Sequence, residues 1–227
     1  MRKILVKRFV VKEFQAAEAL KALRTNLLFS GASVQAIALT SYGMSEGKSA
    51  IAFQLAAFMA QAGKRVLLLD TDLRMSCLEK RLQIDGKVKG LSHYLSGMAN
   101  ADELLCETDI PGMYIMFAGK RVPNAMELLG EESFKKLVTA LKKTFDYVIV
   151  DTSPMGQVVD CAVIAPVLDG VALLVDSTNN SYKCIRRVKQ QLEKSGARIL
   201  GVVLNKVETK QKRSYYKGYG PQEADWA

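Results

Sequence analysis

The sequence is poor in the features that mark membrane-spanning, secreted and metal-thiolate proteins. No apolar stretch approaches the roughly 20 residues that a helix needs to cross a bilayer, and the segment 1–8 lacks the apolar core of a secretory signal. The four cysteines are widely spaced and form no Cys-x-x-Cys pair, which argues against a disulfide framework or a zinc site. These absences predict a cytoplasmic protein.

Acidic residues are scarce relative to basic ones. The chain has 32 Lys and Arg against 23 Asp and Glu, a net charge of +9. The basic residues cluster at the N-terminus, around residues 186–189 and from residue 206 onward. An excess of positive charge can favour binding to nucleic acid or to an anionic membrane surface. Three separate basic clusters are as consistent with solvated faces, contact with an inner leaflet or an acidic protein partner as with DNA binding. We therefore predict no nucleic-acid partner.

A candidate phosphate-binding loop follows the first apolar run, residues 34–39, and precedes a helix-like segment at 49–62. Gly47, Lys48 and Ser49 stand where backbone N–H groups surround a β-phosphate, a Lys reaches the β and γ oxygens, and a Ser hydroxyl ligates Mg²⁺. Tyr42 replaces the first Gly of the usual pattern, so the assignment depends on the rest of the chain. The predicted nucleotide-binding residues here are Gly43, Met44, Ser45, Glu46, Gly47, Lys48, Ser49 and Ala50.

Two acidic motifs downstream support this interpretation. The apolar runs 66–69 and 147–150 read as buried parallel strands, and they end in Asp70-Thr71-Asp72 and in Asp151. Ligands bind at the carboxyl edge of an open α/β sheet. Lys48 and these three carboxylates are therefore expected to converge on one nucleotide and its metal, as in an NTPase or a kinase.

The remaining pattern predicts an α/β fold with three layers and a mostly parallel sheet. A helix at 11–29 precedes the nucleotide core, later helices are expected at 134–143 and 182–194, and further strands at 170–175 and 199–205; residues 78–132 are less regular. A composition that is 49% hydrophobic and 24% charged is ordinary for a globular domain. We assign residues 1–207 to one domain and 208–227 to a mobile tail that holds Tyr215, Tyr216 and Tyr219.

The motifs together resemble those of the bacterial tyrosine kinases (BY-kinases) that control capsule and exopolysaccharide synthesis. The resemblance lies in Ser-x-x-x-x-Glu-Gly-Lys-Ser, Leu-Leu-Leu-Asp-x-Asp-x-Arg, Val-Ile-Val-Asp-x-x-Pro and the terminal tyrosine cluster, and it extends to segments 90–97 and 123–129. It implies a P-loop NTPase fold. The chain is similar to the form of the family in which the kinase and its transmembrane activator are separate polypeptides.

The resemblance also implies residue roles and cofactors. Lys48, Asp70 and Asp72 would be catalytic, with Asp70 accepting the proton of the tyrosine hydroxyl. Ser49, Asp72 and Asp151 would hold Mg²⁺ or its waters. Asn205 would contact the adenine of ATP. Phosphoryl transfer of this kind needs positioning and charge neutralisation more than covalent help from the protein.

Further implications concern the tail and the assembly. Tyr215, Tyr216 and Tyr219 would be autophosphorylated. Glu18, Lys21 and Arg24 correspond to the Glu-x-x-Arg-x-x-Arg motif with which family members form rings, although Lys lacks the planar fork of Arg. A homo-oligomeric ring, recruited to the inner face of the plasma membrane by the transmembrane activator, is therefore expected.

The sequence departs from the family pattern within the loop. Met44 and Ser45 stand in place of Pro and Gly, Ala50 in place of Thr, and Ser153 in place of a Pro. If position 45 needs a positive φ, its side chain would impose strain and weaken nucleotide binding.

Two other functions are consistent with the nucleotide motifs. One is a non-kinase ATPase switch of the partition and division-site type, although such proteins carry an additional Lys where this chain has Tyr42-Gly43, and they lack a tyrosine tail. The other is a nucleotide-binding scaffold of low activity that docks on a membrane partner.

Overall fold

The structure, a computed structural model, describes residues 2–84, 86–179 and 181–207. The predicted tail, 208–227, lies outside the described residues together with Tyr215, Tyr216 and Tyr219. The domain boundary at residue 207 and the phosphorylation sites therefore stay predictions.

A mostly parallel sheet forms the middle of the described chain. Its eight strands are β1 (Arg2–Ile4), β2 (Ala36–Ser41), β3 (Val66–Asp70), β4 (Leu105–Thr108), β5 (Met113–Met116), β6 (Tyr147–Asp151), β7 (Gly170–Asp176) and β8 (Ile199–Asn205). They lie in the order β1-β4-β5-β3-β6-β2-β7-β8. Each neighbouring pair is parallel except β4 and β5, which form an antiparallel hairpin.

Helices cover both faces of this sheet. They are α1 (Phe14–Leu28), α2 (Lys48–Gln61), α3 (Leu78–Arg81), α4 (Leu91–Leu95), α5 (Ala101–Leu104), α6 (Ala125–Gly130), α7 (Glu132–Thr144), α8 (Asp160–Ile164) and α9 (Tyr182–Lys194), with short 3₁₀ turns at Lys7–Phe9 and Ala165–Val167. One core lies between the sheet and α1–α3, and the other between the sheet and α4, α6, α7 and α9. The three-layer α/β fold is confirmed.

The central strands are apolar along most of their length, as expected of strands that are buried on both faces. In β3, Val66 and Leu68 face the α2 side, whereas Leu67 and Leu69 face the α7 side. This alternation follows from the two-residue repeat of a strand. The polar residues of these strands stand at their carboxyl ends, and that edge of the sheet is where the site lies.

The helices and strands predicted around the nucleotide motifs are present, with shifts of up to three residues. α1 begins at Phe14 rather than at residue 11, since Glu13 before it has an extended backbone (φ −62°, ψ 128°), and the Val11 N–H donates to Gln54 Oε1 (2.9 Å). The irregular stretch 78–132 contains α3–α6 and the β4–β5 hairpin. β1, within the basic N-terminus, was not predicted.

The helix proposed for assembly lies against α2. Glu18 and Lys21 are exposed and form an ion pair with each other (2.6 Å), while the guanidinium of Arg24 turns inward and donates to Phe58 O (3.3 Å). Their contact with another subunit stays a prediction.

Among the described residues, no helix is both long and apolar enough to span a bilayer.

Candidate active site

Three adjacent strands deliver the predicted site residues to one edge of the sheet. β3, β6 and β2 are parallel neighbours, so their carboxyl ends lie side by side. β2 leads into the loop 42–47, β3 ends at Asp70 and β6 ends at Asp151. The structure thus brings the loop, Lys48 and the three predicted carboxylates together.

The loop depends on left-handed backbone at two positions. Gly47, which caps α2, has φ +98°, and a Cβ on it would lie 2.3 Å from Asn205 Nδ2, so only glycine fits. Ser45 has φ +59° although it carries a side chain. The strain expected at position 45 is therefore present.

A buried carboxylate shapes the beginning of the loop. Glu46 Oε1 accepts a hydrogen bond from the Gly43 N–H (2.6 Å), while Glu46 Oε2 is buried without a hydrogen-bond partner. Met44, by contrast, is exposed, and Ala50 lies in the first turn of α2. The loop is closed on itself at its base and open to solvent at its tip.

Lys48 and Asp151 face each other inside the site. Their side chains are 10% and 3% exposed, and Lys48 Nζ lies 3.7 Å from Asp151 Oδ1, which is buried and accepts no hydrogen bond. A buried carboxylate oxygen without a donor calls for a cation or an ordered water. This donor set fits Mg²⁺, which prefers oxygen ligands and keeps several waters.

The described residues contain no cluster of three or more His, Cys, Asp and Glu side chains that could hold a metal by themselves. A magnesium ion here would take a carboxylate and the Ser49 hydroxyl from the protein. Phosphate oxygens and water would supply the remaining ligands, as is usual for this ion.

Two carboxylates lie directly opposite each other at the ends of β3 and β6. Asp70 and Asp151 are register partners. Burial, together with the charge of Asp151, holds the pKa of Asp70 well above its ordinary value. Burial also raises the pKa of Asp151, although the nearby Lys48 ammonium opposes that rise. Burial thus disfavours the charged forms of both carboxyls, and a cation beside them would offset that penalty.

Asp70 and Asp72 differ in their access to the site. Asp70 is fully buried and accepts hydrogen bonds from the Ser76 hydroxyl and from the Asp72 N–H (3.0 Å). Asp72 is partly exposed and accepts a hydrogen bond from the Ser153 hydroxyl at Oδ1 (2.8 Å). Ser153, which stands where the family has a Pro, thus gives Asp72 a hydrogen-bond donor. The role of Asp70 as proton acceptor stays a prediction.

Two cavities meet at Asp72. The first, about 320 Å³, is lined by the loop 44–49, Asp72, Arg74 and Ser153 among others. The second, about 500 Å³, lies between α3 and residues 119–121 and is lined by Asp72, Ser76 and Arg121, among others. Asp72 therefore lines both cavities, one of which lies beside the candidate phosphate loop.

Several residues at the site were not predicted. Arg74 forms a bidentate pair with Asp160, a buried residue at the start of α8 (2.7 and 3.1 Å). Ser76 and Lys206 also contact site residues. The sequence carries no signal for these contacts, because most of the partners are far apart in the chain.

Asn205, the predicted adenine contact, lies against the loop. Its side-chain amide donates to Glu46 O (2.8 Å). This contact ties the end of β8 to the loop, and the contact with adenine stays a prediction.

Comparison with known proteins bears on this arrangement. The AAA domain family model matches residues 34–199. A tyrosine-protein kinase CpsD from Streptococcus agalactiae is 40% identical over 207 residues, which are 91% of this chain and 90% of that protein. The kinase domain of the Escherichia coli tyrosine kinase ETK superposes with a TM-score of 0.82 at 32% identity, covering 90% of this chain and 80% of that one.

A more distant likeness is to the septum site-determining protein MinD of Pyrococcus horikoshii. Its structure, complexed with Mg-ADP, superposes with a TM-score of 0.63 at 22% identity, covering 75% of this chain and 70% of that one. At this identity the likeness establishes a shared fold. The tyrosine kinases, by comparison, match nearly the whole chain in sequence and in structure.

Proposed function

The chain belongs to the bacterial tyrosine kinases of the capsule type and is a protein-tyrosine kinase, and from this premise we propose that it transfers the γ-phosphoryl group of Mg-ATP to Tyr215, Tyr216 and Tyr219 of its own tail. This transfer regulates capsular or exopolysaccharide synthesis. The observation that carries the proposal is the meeting of two cavities at Asp72.

The first cavity suits the phosphates of ATP. Residues 44–49, which form the loop and the start of α2, line this space, and a loop that leads into a helix N-terminus offers N–H donors to phosphate. Lys48 lines it too, with its ammonium 3.7 Å from Asp151 Oδ1. Ser49, Asp72 and Asp151 are the proposed ligands of Mg²⁺, which when bound neutralises charge on the phosphates. Lys48 then positions the β and γ oxygens.

The second cavity suits the acceptor tyrosine. In-line transfer requires the attacking and leaving oxygens on opposite sides of the γ-phosphorus. A space of about 500 Å³ on the other side of Asp72 can hold a phenol side chain. Asp72 would contact the phenol hydroxyl and orient it.

Ser76 links this cavity to the buried Asp70. Ser76 lines the cavity, and its hydroxyl donates to Asp70 Oδ2. The tyrosine hydroxyl proton would pass to Ser76 Oγ while the Ser76 proton passes to Asp70. The tyrosine oxygen then bonds to the γ-phosphorus, and the bond to the bridging oxygen breaks with its electron pair leaving on ADP. This route gives a fully buried Asp70 the role of proton acceptor.

Assembly and location complete the proposal. A cytoplasmic ring held by Glu18, Lys21 and Arg24 would place the tail of one subunit near the site of its neighbour, since about 20 extended residues reach some tens of ångströms. A transmembrane activator would recruit the ring to the inner face of the plasma membrane. The exposure of Glu18 and Lys21 supports this arrangement.

A peptide assay tests the chemistry. A peptide of residues 208–227 and a matched peptide with Phe at its three predicted acceptor tyrosines are incubated with the kinase and Mg-ATP. We expect phosphate only on the tyrosine peptide. Asp72→Asn should lower its rate of labelling about 100-fold or more, whereas Asp102→Asn, an exposed aspartate on α5, should leave it unchanged. Equal labelling by the Asp72→Asn variant would contradict the role of Asp72.

A further inference from the structure

We propose that the end of β8 is a positioning clamp that holds the nucleotide loop in its binding conformation, with Lys206 as its main residue. The inference rests on the proposed function only in assuming that the loop binds nucleotide phosphates. It concerns Asn205, the last residue of β8, and Lys206, which follows it; both lie far from the loop in the sequence.

The loop needs such support because of Ser45. Its φ of +59° lies in the left-handed region, where a residue with a Cβ is strained. If it were unsupported, the loop would relax to a negative φ at this position. Nucleotide binding would then have to restore the strained conformation, and its affinity would fall.

Two consecutive side chains hold two consecutive carbonyls of the loop. Lys206 Nζ donates to Ser45 O (3.0 Å), and Asn205 Nδ2 donates to Glu46 O (2.8 Å). In a planar trans peptide the C=O and the following N–H point in opposite directions. Holding these carbonyls toward β8 therefore aims the N–H groups of Glu46 and Gly47 away from β8, as donors for an anion.

Lys206 is itself fixed from two sides. Its ammonium also donates to Asp176 Oδ2 (2.6 Å), a buried carboxylate at the end of β7. Its carbonyl accepts a hydrogen bond from the Ser177 hydroxyl (2.8 Å), and its own φ is +55°. Lys206 is thus oriented by the β7–β8 junction rather than by the loop.

A role in merely ending β8 would predict something different. In that case the loss of Lys206 would have the same effect whatever residue stands at position 45. A clamp that supports a strained Ser45 predicts coupling between the two positions, since a glycine needs no support at positive φ.

The experiment is a double-mutant cycle read by the affinity for Mg-ADP in calorimetry, with the melting temperature measured for each variant. Lys206→Met should weaken ADP binding about 5- to 10-fold in the Ser45 background. The same change in a Ser45→Gly background should weaken it less than about 2-fold. Lys194→Met, at the exposed end of α9, is the matched control and should leave binding unchanged.

Equal losses in the two backgrounds, or no loss in either, would overturn the clamp. If Lys206→Met fails to fold, Asp176→Asn keeps the ammonium but removes its anchor, and it should show the same dependence on position 45 with a smaller loss. Because the experiment measures ADP binding, the clamp and the kinase activity can fail separately. Coupling between positions 45 and 206 in a protein that phosphorylates no tyrosine would support the clamp and reject the proposed function.

Discussion

Glycines with similar backbone angles have different neighbours at the two ends of α2. Gly47 and Gly63 have φ +98° and +82°, but a Cβ would meet Asn205 at Gly47 and nothing within 4 Å at Gly63. A side chain at position 47 would cause both backbone strain and a clash, whereas a side chain at position 63 would cause backbone strain alone. Comparing Gly47 with Gly63 therefore separates the effect of a close neighbour, which only Gly47 has, from the effect of positive φ, which both share.

We therefore expect Gly47→Ala to abolish detectable ADP binding and Gly63→Ala to leave it unchanged. Each change should destabilise the fold by about 1 kcal/mol or more through backbone strain. Calorimetric titration with Mg-ADP and thermal unfolding measure the two effects. Retained binding by Gly47→Ala would show that the loop can move away from Asn205.

At this scale the sequence predicts residues that a local motif defines and misses those that distant contacts define. Lys48, Asp72 and Asp151 stand at fixed places after apolar runs, so their convergence follows from a parallel sheet. Asp160 pairs with Arg74 across 86 positions, and Lys206 reaches Ser45 across 161. No spacing rule indicates such pairs.

At the scale of elements, the junction of β7 and β8 carries a pH-sensitive contact. Asp176 ends β7, and the hydrogen bond from Lys206, with those from Thr178, lowers its pKa to about 2. The unfolded value is about 3.9. A carboxyl whose pKa is lower in the folded state stabilises the fold above the unfolded value and loses that contribution as the pH falls toward 2.

The melting temperature of the wild type should accordingly fall between pH 5 and pH 2.5 by more than that of Asp176→Asn, which lacks the titrating group. Other carboxylates titrate equally in both proteins, so the difference between the curves reports Asp176. Parallel curves over this range would show that the Asp176 carboxylate is not stabilised by its partners.

The prediction of elements succeeds where apolar runs are long and fails where a strand is short. α9 and β8 match their predicted bounds because a helical face and a seven-residue apolar strand are strong local signals. β1 has three residues and pairs with β4, about 100 positions later. Its strand conformation depends on that partner, which a local pattern does not reveal.

At the scale of the whole molecule, the proposed ring assembly is assigned to α1. Glu18 and Lys21 form an exposed ion pair that contributes little within one subunit. Lys21→Glu should therefore leave the melting temperature nearly unchanged. It should lower the assembled fraction in light scattering, because it places like charges together on the proposed contact face. Lys12→Glu, exposed just before α1, is the matched control, and equal assembly of the two variants would argue against the ring motif.

The central claim is that Lys48 serves transfer of phosphate to the tail tyrosines, and phosphotyrosine mapping by mass spectrometry tests it most directly. Wild type, Lys48→Met and the exposed control Lys64→Met are incubated with Mg-ATP and the cytoplasmic segment of a membrane activator. We predict phosphate on Tyr215, Tyr216 or Tyr219 in the wild type and in Lys64→Met, and none in Lys48→Met. Absence of phosphotyrosine from the wild type, with nucleotide binding intact, would contradict the account and favour a nucleotide-dependent switch or scaffold.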